Sequence, residues 1–554
     1  MASLLLGPIL RYVGDCEATV WVETDGPCRV EVLGTSEDTF SMDGHHYAIV
    51  GIRGLEPGSE TPYEVTLDGD HAWPPPDYPH PAPMIRTVAP GDTQRIAFGS
   101  CRTTGPHEPP YTDRITEDER GRGIDALRTL GCELLRGDPD HWPHLLLMLG
   151  DQIYADDLSP RMLETVDSSQ EPPDELSDFS DYAEAYKEAW SDEIVRWLLS
   201  TVAVGMLFDD HEISAEWKIS LDWLKERRAL GWYDQRISDG LSAYWIYQHA
   251  GNLAPDELDH DEVCRHIRSG APLGPFLRQL AVESDRVPER YRWTWERDLG
   301  NAQVIAVDSR AERVLTPTER RMCHDGEWDW IEERIRAALE RGAQHIVLAS
   351  SVPFLMAEGI QYGEAWNEAV ADGAWGARAS RIAERIRQTA VLDHWGSFQD
   401  SFLRLCELLR GVATGTFGPA PLTMTLIAGD VHHCFLQQIG LPPGTGSQTS
   451  LWQAVCSPFR KDLEPHERKV MEFGHSWAGE MVGRGLAAAA GVPHPPLAWR
   501  TVEGPNYANH LGRLEFSTDA ARCRMETTGN ADWRDPRLEL VFERSLLPGG
   551  PEPG

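Results

Sequence analysis

Five apolar runs in this 554-residue chain each stop at a chemically competent residue. They read Phe98-Gly99-Ser100-Cys101-Arg102, Leu149-Gly150-Asp151-Gln152-Ile153-Tyr154, Phe208-Asp209-Asp210-His211-Glu212, Val307-Asp308-Ser309-Arg310 and Gly429-Asp430-Val431-His432-His433. In an open α/β sheet, side chains just past the carboxyl ends of the strands converge on one edge, so residues hundreds of positions apart share one site. The inventory at that edge is carboxylates, a thiol, a phenol and imidazoles. Such a set suits more than one cation, held so as to activate water and grip a phosphate.

The surrounding pattern sets the fold class. From Ile9 to about Arg86, short β segments such as Ala18–Glu23, Arg29–Leu33, His46–Val50 and Tyr63–Leu67 alternate with Gly, Pro and Asp turns, which predicts a small β-sandwich of fibronectin type III-like character. The Pro-rich run from Trp73 to Pro81 reads as a stiff connector. After Gly91, apolar strands alternate with helices at 182–200, 328–341 and 379–391, which predicts a layered α/β domain. The expected division is 1–90 for the sandwich, 91–545 for the catalytic domain with a Trp-rich helical insertion at about 213–296 that can lid the site, and 546–554 for a disordered tail.

Composition narrows the partners. With 88 acidic against 51 basic residues the formal net charge is −37, which repels nucleic acid and anionic lipid and makes cations at the site more necessary. No run approaches the roughly 20 apolar residues of a membrane helix, and the short apolar start has no preceding positive region. A cytoplasmic protein acting on a small phosphate ester is expected, with neither nucleic acid nor membrane as partner. None of the ten cysteines forms a Cys-x-x-Cys pair.

Each motif has a bland reading beside the functional one. Asp151 is either a strand-end helix cap or a hard oxygen ligand, with Gly150 allowing close backbone approach and Tyr154 within one turn. A phenol normally titrating at about 10 ligates only a strongly acidic metal, ferric iron being the natural candidate. Cys101 is a buried thiol, a thiolate ligand favoured by Arg102, or a nucleophile. Asp209–Glu212 is a solvated acidic turn, or a bridging carboxylate followed by a histidine that donates a proton to a leaving oxygen. Asp430 and His432 point the same way if the extended conformation continues, with His433 facing into structure. Asp308 and Arg310 make a structural ion pair or turn, or else Arg310 grips a phosphate oxygen, as Arg102 can.

Taken in order, these residues resemble the alkaline phosphatase D (PhoD-like) family of metallophosphatases, from about Arg95 to at least Pro458. The resemblance implies a four-layered αββα catalytic domain behind a small β-sandwich. It implies hydrolysis of phosphomonoesters, phosphodiesters or both by a metal-bound hydroxide, with Fe3+ and Ca2+ as cofactors and Mn2+ or another divalent ion as a substitute. It also implies that Cys101, Asp151 and Tyr154 bind iron, that Asp210 takes a bridging position, that His211 is the catalytic histidine, and that Asp430 and His432 form the late metal motif. Asp393-His394-Trp395-Gly396 looks like a family segment with a structural role. The chain departs from the family at Ile213-Ser214-Ala215-Glu216-Trp217, where members commonly carry Asn, and in the missing export signal. A catalytically silent scaffold on the same fold and a nucleic acid phosphodiesterase are the competing readings.

Overall fold

The computed structural model describes residues 2–89, 91–463, 465–529 and 531–548. Two large sheets lie face to face. The first runs in the order Ala203–Leu207, Leu145–Leu149, Gln94–Gly99, His510–Phe516, Ala521–Thr527 and Glu539–Ser545, parallel in its first half and antiparallel in its second. The second runs Trp295–Asp298, Ala302–Val307, His345–Ser350, Thr423–Ala428, Ser450–Val455, Cys434–Gly440 and Ala498–Asn506, parallel through its four inner strands and antiparallel at both edges.

The apolar runs are continuous because both faces of each strand are buried. Period-two alternation sorts their side chains between layers. Leu145, Leu147 and Leu149 point into the core between the sheets with Val304, Ala306, Val347 and Ile427. Leu146 and Met148 point outward onto the helices Ala126–Arg136, Phe179–Trp190 and Glu193–Thr201. On the other side Ile305, Val307, Ile346 and Leu348 pack against the helices Asp325–Arg341 and Gln399–Ala413. Helix, sheet, sheet, helix is the resulting order, and the αββα expectation stands. The single helix expected over 182–200 is two, because Asp192 caps a new helix with its carboxylate on the amides of Ile194 and Val195.

Residues 4–73 form two four-stranded sheets enclosing Val20, Val22, Val30, Val50, Val65 and Leu67, the predicted sandwich. Its first strand, Leu4–Val13, was not anticipated, since Gly7-Pro8 interrupts the run; register shifts on either side absorb the break. The helices between Leu221 and Arg286 make up most of the expected insertion. They form a wedge between the sandwich and the first large sheet, where Trp21 and Tyr47 share one core with Tyr247 and Leu241. Tyr47 and Tyr247 exchange a hydroxyl hydrogen bond of 2.9 Å. The expected tail also starts too early: Leu546 is buried, its amide bonded to Ala521 and its carbonyl to the Trp452 indole, whereas 549–554 lie outside the described residues.

One guanidinium joins sandwich, wedge and sheet. A π-helical turn at Trp245–His249 displaces backbone carbonyls from the usual ladder. Buried Arg11 donates to the carbonyls of Tyr247 at 2.8 Å, Gln248 at 2.5 Å and Val204 at 3.2 Å, and to Asn252 Oδ1 at 3.1 Å. Arg11→Met strips these carbonyls of the guanidinium donors, although Asn252 Oδ1 keeps the Met206 amide, and should lower unfolding free energy by about 3 kcal/mol. Urea denaturation checks this, and a loss below about 1 kcal/mol would contradict the joint.

Candidate active site

The strand ends meet as expected, through backbone geometry that periodicity does not reveal. Cys101, Asp151, Asp430 and His432 all have left-handed backbone, with φ of 55°, 52°, 66° and 51°. Each is a site where a non-glycine residue is held against its preference, and such residues cluster at functional clefts. The extended conformation expected through Asp430 and His432 is therefore corrected: the chain turns there, with the Val431 amide on the Gly429 carbonyl at 2.9 Å. The loops interlock. Cys101 and Arg102 donate their amides to the carbonyls of Gly150 and Asp151, and the Asp430 amide donates to Ser100 Oγ at 3.0 Å. Gly150 is required, since at φ 110° a Cβ would sit 2.6 Å from that of Asp209.

Arg310 occupies the centre. Its Nε donates to Asp209 at 2.5 Å, Nη1 pairs with Asp393, and Nη2 lies 3.3 Å from both Asp210 and Asp430. It is buried. The expectation that it grips a phosphate is corrected, because four carboxylates from three loops already surround it. Arg102 is corrected likewise: it is buried, bonded to Asp125 at 2.8 Å and to the Ala189 carbonyl, so it ties down a helix start instead of facing the site. Asp308 turns the loop by accepting the amides of Arg310 and Glu312.

The residues present fit a metal. Both oxygens of buried Asp151 and one of Asp209 lack a hydrogen-bond partner among the described residues. The Tyr154 hydroxyl, close enough to Asp151 to feel its charge, has none of ordinary geometry either. Buried anionic oxygens left unpaired cost several kcal/mol unless a cation takes them. Ligand atoms of Asp151, Asp210 and His211 lie within 4.8 Å of one another, as do those of Asp209, Asp210 and Asp430. Without a cation, burial and the nearby Asp210 hold Asp151 up at about 6, against the pull of His211. Burial together with Asp151, Asp430 and Asp209 pushes the Cys101 thiol well up, so the thiol needs a cation to become a ligand. His432, expected as a ligand with Asp430, belongs to neither cluster, and burial and Lys461 hold it neutral at about 3.

Second partners orient this set. The His211 ring meets Asp156 through Nδ1 at 2.7 Å, and although burial opposes the charge, Asp156 raises the imidazole to about 10. Asp156 also accepts the Ala215 amide, and Asp210 the Glu216 amide at 2.6 Å. The segment that departs from the family thus serves through its backbone. His394 links Glu364, at 2.6 Å from Nδ1, to Asp430, at 3.3 Å from Nε2. Burial raises Asp430, yet His394 and Arg310 hold it well below the usual range. Glu212 accepts the amides of Asp209 and Gln152, tying two ligand loops together. Lys461 lies over the Tyr154 ring at 3.9 Å. Sequence reasoning missed Asp156, Glu364 and Lys461, which lie within loops or helices without a motif, and saw Asp393-His394 only as structure.

A third group, Glu312, His324 and Glu327, also gathers ligand atoms. Its tautomer argues against a metal. His324 Nδ1 accepts the Glu327 amide at 3.2 Å, so Nε2 carries the proton and faces Glu312 at 2.9 Å.

Fold and site together define a metallophosphatase-type α/β protein. The PhoD-like phosphatase family profile matches residues 134–482, most of the chain, and the chain belongs to that family. Residues 1–85 match a domain of unknown function, DUF7800. Among solved structures, one titled "Structure of PhoD" aligns with 99% of this chain and 94% of its own at a TM-score of 0.61 and 12% identity, which shows the shared fold. An amylomaltase from Corynebacterium glutamicum aligns over 88% of this chain and 90% of its own at 11% identity, but its TM-score of 0.16 carries no argument. No curated protein matches the sequence. Family membership supports a phosphoesterase activity.

Arg310→Met removes the one cation shared by four carboxylates. In metal-free protein it should cost about 4 kcal/mol at pH 7. The freed carboxyls then have folded pKa values above their unfolded ones, so the folded variant binds more protons and regains stability as pH falls. Denaturant unfolding at pH 7 and pH 5 should show a smaller deficit at pH 5; a deficit independent of pH would contradict the clamp.

Proposed function

We propose that this chain is a metal-dependent phosphoesterase acting on small phosphomonoesters, phosphodiesters or both, in the cytoplasm, with neither nucleic acid nor membrane as partner. One observation carries the reading. Buried, unpaired oxygens of Asp151 and Tyr154 lie beside Asp210 and an imidazole held protonated by Asp156. Asp151, Tyr154, Asp210 and Cys101 would hold the cations, with Asp430 alongside. The phenol and thiol suit Fe3+, the carboxylates Ca2+ or Mn2+. Bound there, the cations would supply Lewis-acid activation of water and neutralise phosphoryl charge.

The chain's own residues do the rest. Asp156 fixes the His211 ring through Nδ1, which leaves Nε2 as the nitrogen free to give its proton to a leaving oxygen. Arg310 holds Asp210 in place, and His394 and Arg310 together hold Asp430. The partly open side chains mark where the ester enters: His211 is 23% exposed and Asp430 19%.

Leaving groups test this role of His211. Wild type should hydrolyse both a 4-nitrophenyl and an alkyl phosphate ester. His211→Asn should lose roughly 10²–10⁴-fold in kcat on the alkyl ester, whose alkoxide needs a proton, and far less on the nitrophenyl ester. Equal losses on both would exclude proton donation, and failure of wild type to hydrolyse any ester would refute the phosphoesterase reading.

A further inference from the structure

The two guanidiniums expected to meet substrate are committed elsewhere, which leaves the question of what cation a phosphate group would find. Lys461 is 17% exposed and lies on the side of the site where His211 is partly open. Its Nζ lies 3.9 Å above the Tyr154 ring, and that ring lies 4.8 Å from the His211 ring. Its charge is felt by Asp151, His211 and His432, which places it near those three side chains. Among the described residues its ionic partner is Asp157 alone, at 3.6 Å, and that carboxylate is 42% exposed.

The loop carrying Lys461 is rigid. It continues the strand Ser450–Val455 and pairs with the Cys101 loop, the Phe459 amide on the Ser100 carbonyl at 2.7 Å and the Arg460 amide on the Cys101 carbonyl at 3.1 Å. Arg460 turns away and is locked onto the carbonyls of Gly105 at 2.7 Å and Pro106 at 2.6 Å. The Lys461 amide donates to Asn509 Oδ1 at 3.1 Å. Neighbouring cations thus face opposite ways, one structural and one at the opening. A lysine so placed keeps its three donors for an incoming anion, apart from one long contact to a half-solvated carboxylate.

We infer that Lys461 is the side chain that binds the non-bridging oxygens of the substrate's phosphate group, an assignment resting on the phosphoesterase reading above. Asp157 is its resting counter-ion, displaced when the phosphate arrives. The assignment gives the mouth a cation that does not depend on metal loading and supplies the role once expected of Arg102 and Arg310.

The test is binding of inorganic phosphate to Mn2+-saturated full-length protein by calorimetry, with bound metal measured in the same samples. Lys461→Met, which keeps the aliphatic stem over Tyr154, should weaken phosphate at least 10-fold at unchanged metal content and unchanged thermal unfolding. Lys461→Arg should stay within about threefold of wild type, and Asp157→Asn should bind more tightly. Equal affinity in wild type and Lys461→Met, or no phosphate binding by wild type, overturns the assignment. Phosphate binding that depends on Lys461 in a protein hydrolysing no ester would keep Lys461 as a phosphate-binding side chain but remove the phosphoesterase reading and, with it, the substrate role.

Discussion

Four carboxylates from three loops sit around the buried guanidinium of Arg310, and the site is organised around that contact. Asp209 follows a strand of the first large sheet, whereas Asp393 and Asp430 belong to the half of the chain that builds the second. Without a central cation, these like charges would push the sheet ends apart in a medium where Coulomb energies are several-fold larger than in water. Arg313 adds a second contact to Asp393 at 3.2 Å, so the loop Asp308–Arg313 is the counter-charge on which the remaining ligands are arranged. Asp151 and Tyr154 lie outside this pairing. Arg310 bonds one oxygen each of Asp209, Asp393 and Asp430, while the second Asp209 oxygen and both Asp151 oxygens lack a hydrogen-bond partner among the described residues.

Support for this centre extends outward. Glu212 holds the Asp209 and Gln152 amides and is itself held by Gln248 from the π-helical turn. The carbonyl of Gln248 receives Arg11 from the sandwich. A continuous hydrogen-bonded route therefore runs from the domain of unknown function to two ligand loops. The wedge helices transmit position in this arrangement, and the first residues of that segment, Ala215 and Glu216, reach the site through their amides.

Much of this was legible in the sequence because strand ends are legible. Leu145–Leu149 is so uniformly apolar that it fits only a strand buried on both faces, and the residues immediately after Leu149 had to lie at a sheet edge. Cys101, Asp151, Asp210 and Asp430 converge for that reason. The hidden part depends on side-chain direction and long-range pairing. Arg102 and Arg310 have the right residue type for phosphate, but nothing local tells that Asp125 and Asp393 have claimed them. Lys461 lies 307 positions from Tyr154, whose ring it covers, and carries no motif. The left-handed turns at Asp430 and His432 defeat an argument from strand periodicity, since neither is a glycine.

Asp151 and its neighbours are proposed to hold a catalytic metal, and the most direct test is metal content and phosphodiester hydrolysis on the same preparations of wild type and Asp151→Asn. A catalytic metal there predicts at least one tightly bound ion per wild-type chain together with turnover, and both lost in Asp151→Asn while thermal unfolding of the metal-free proteins stays similar. Undiminished hydrolysis by Asp151→Asn, or by wild type stripped of metal, would contradict it.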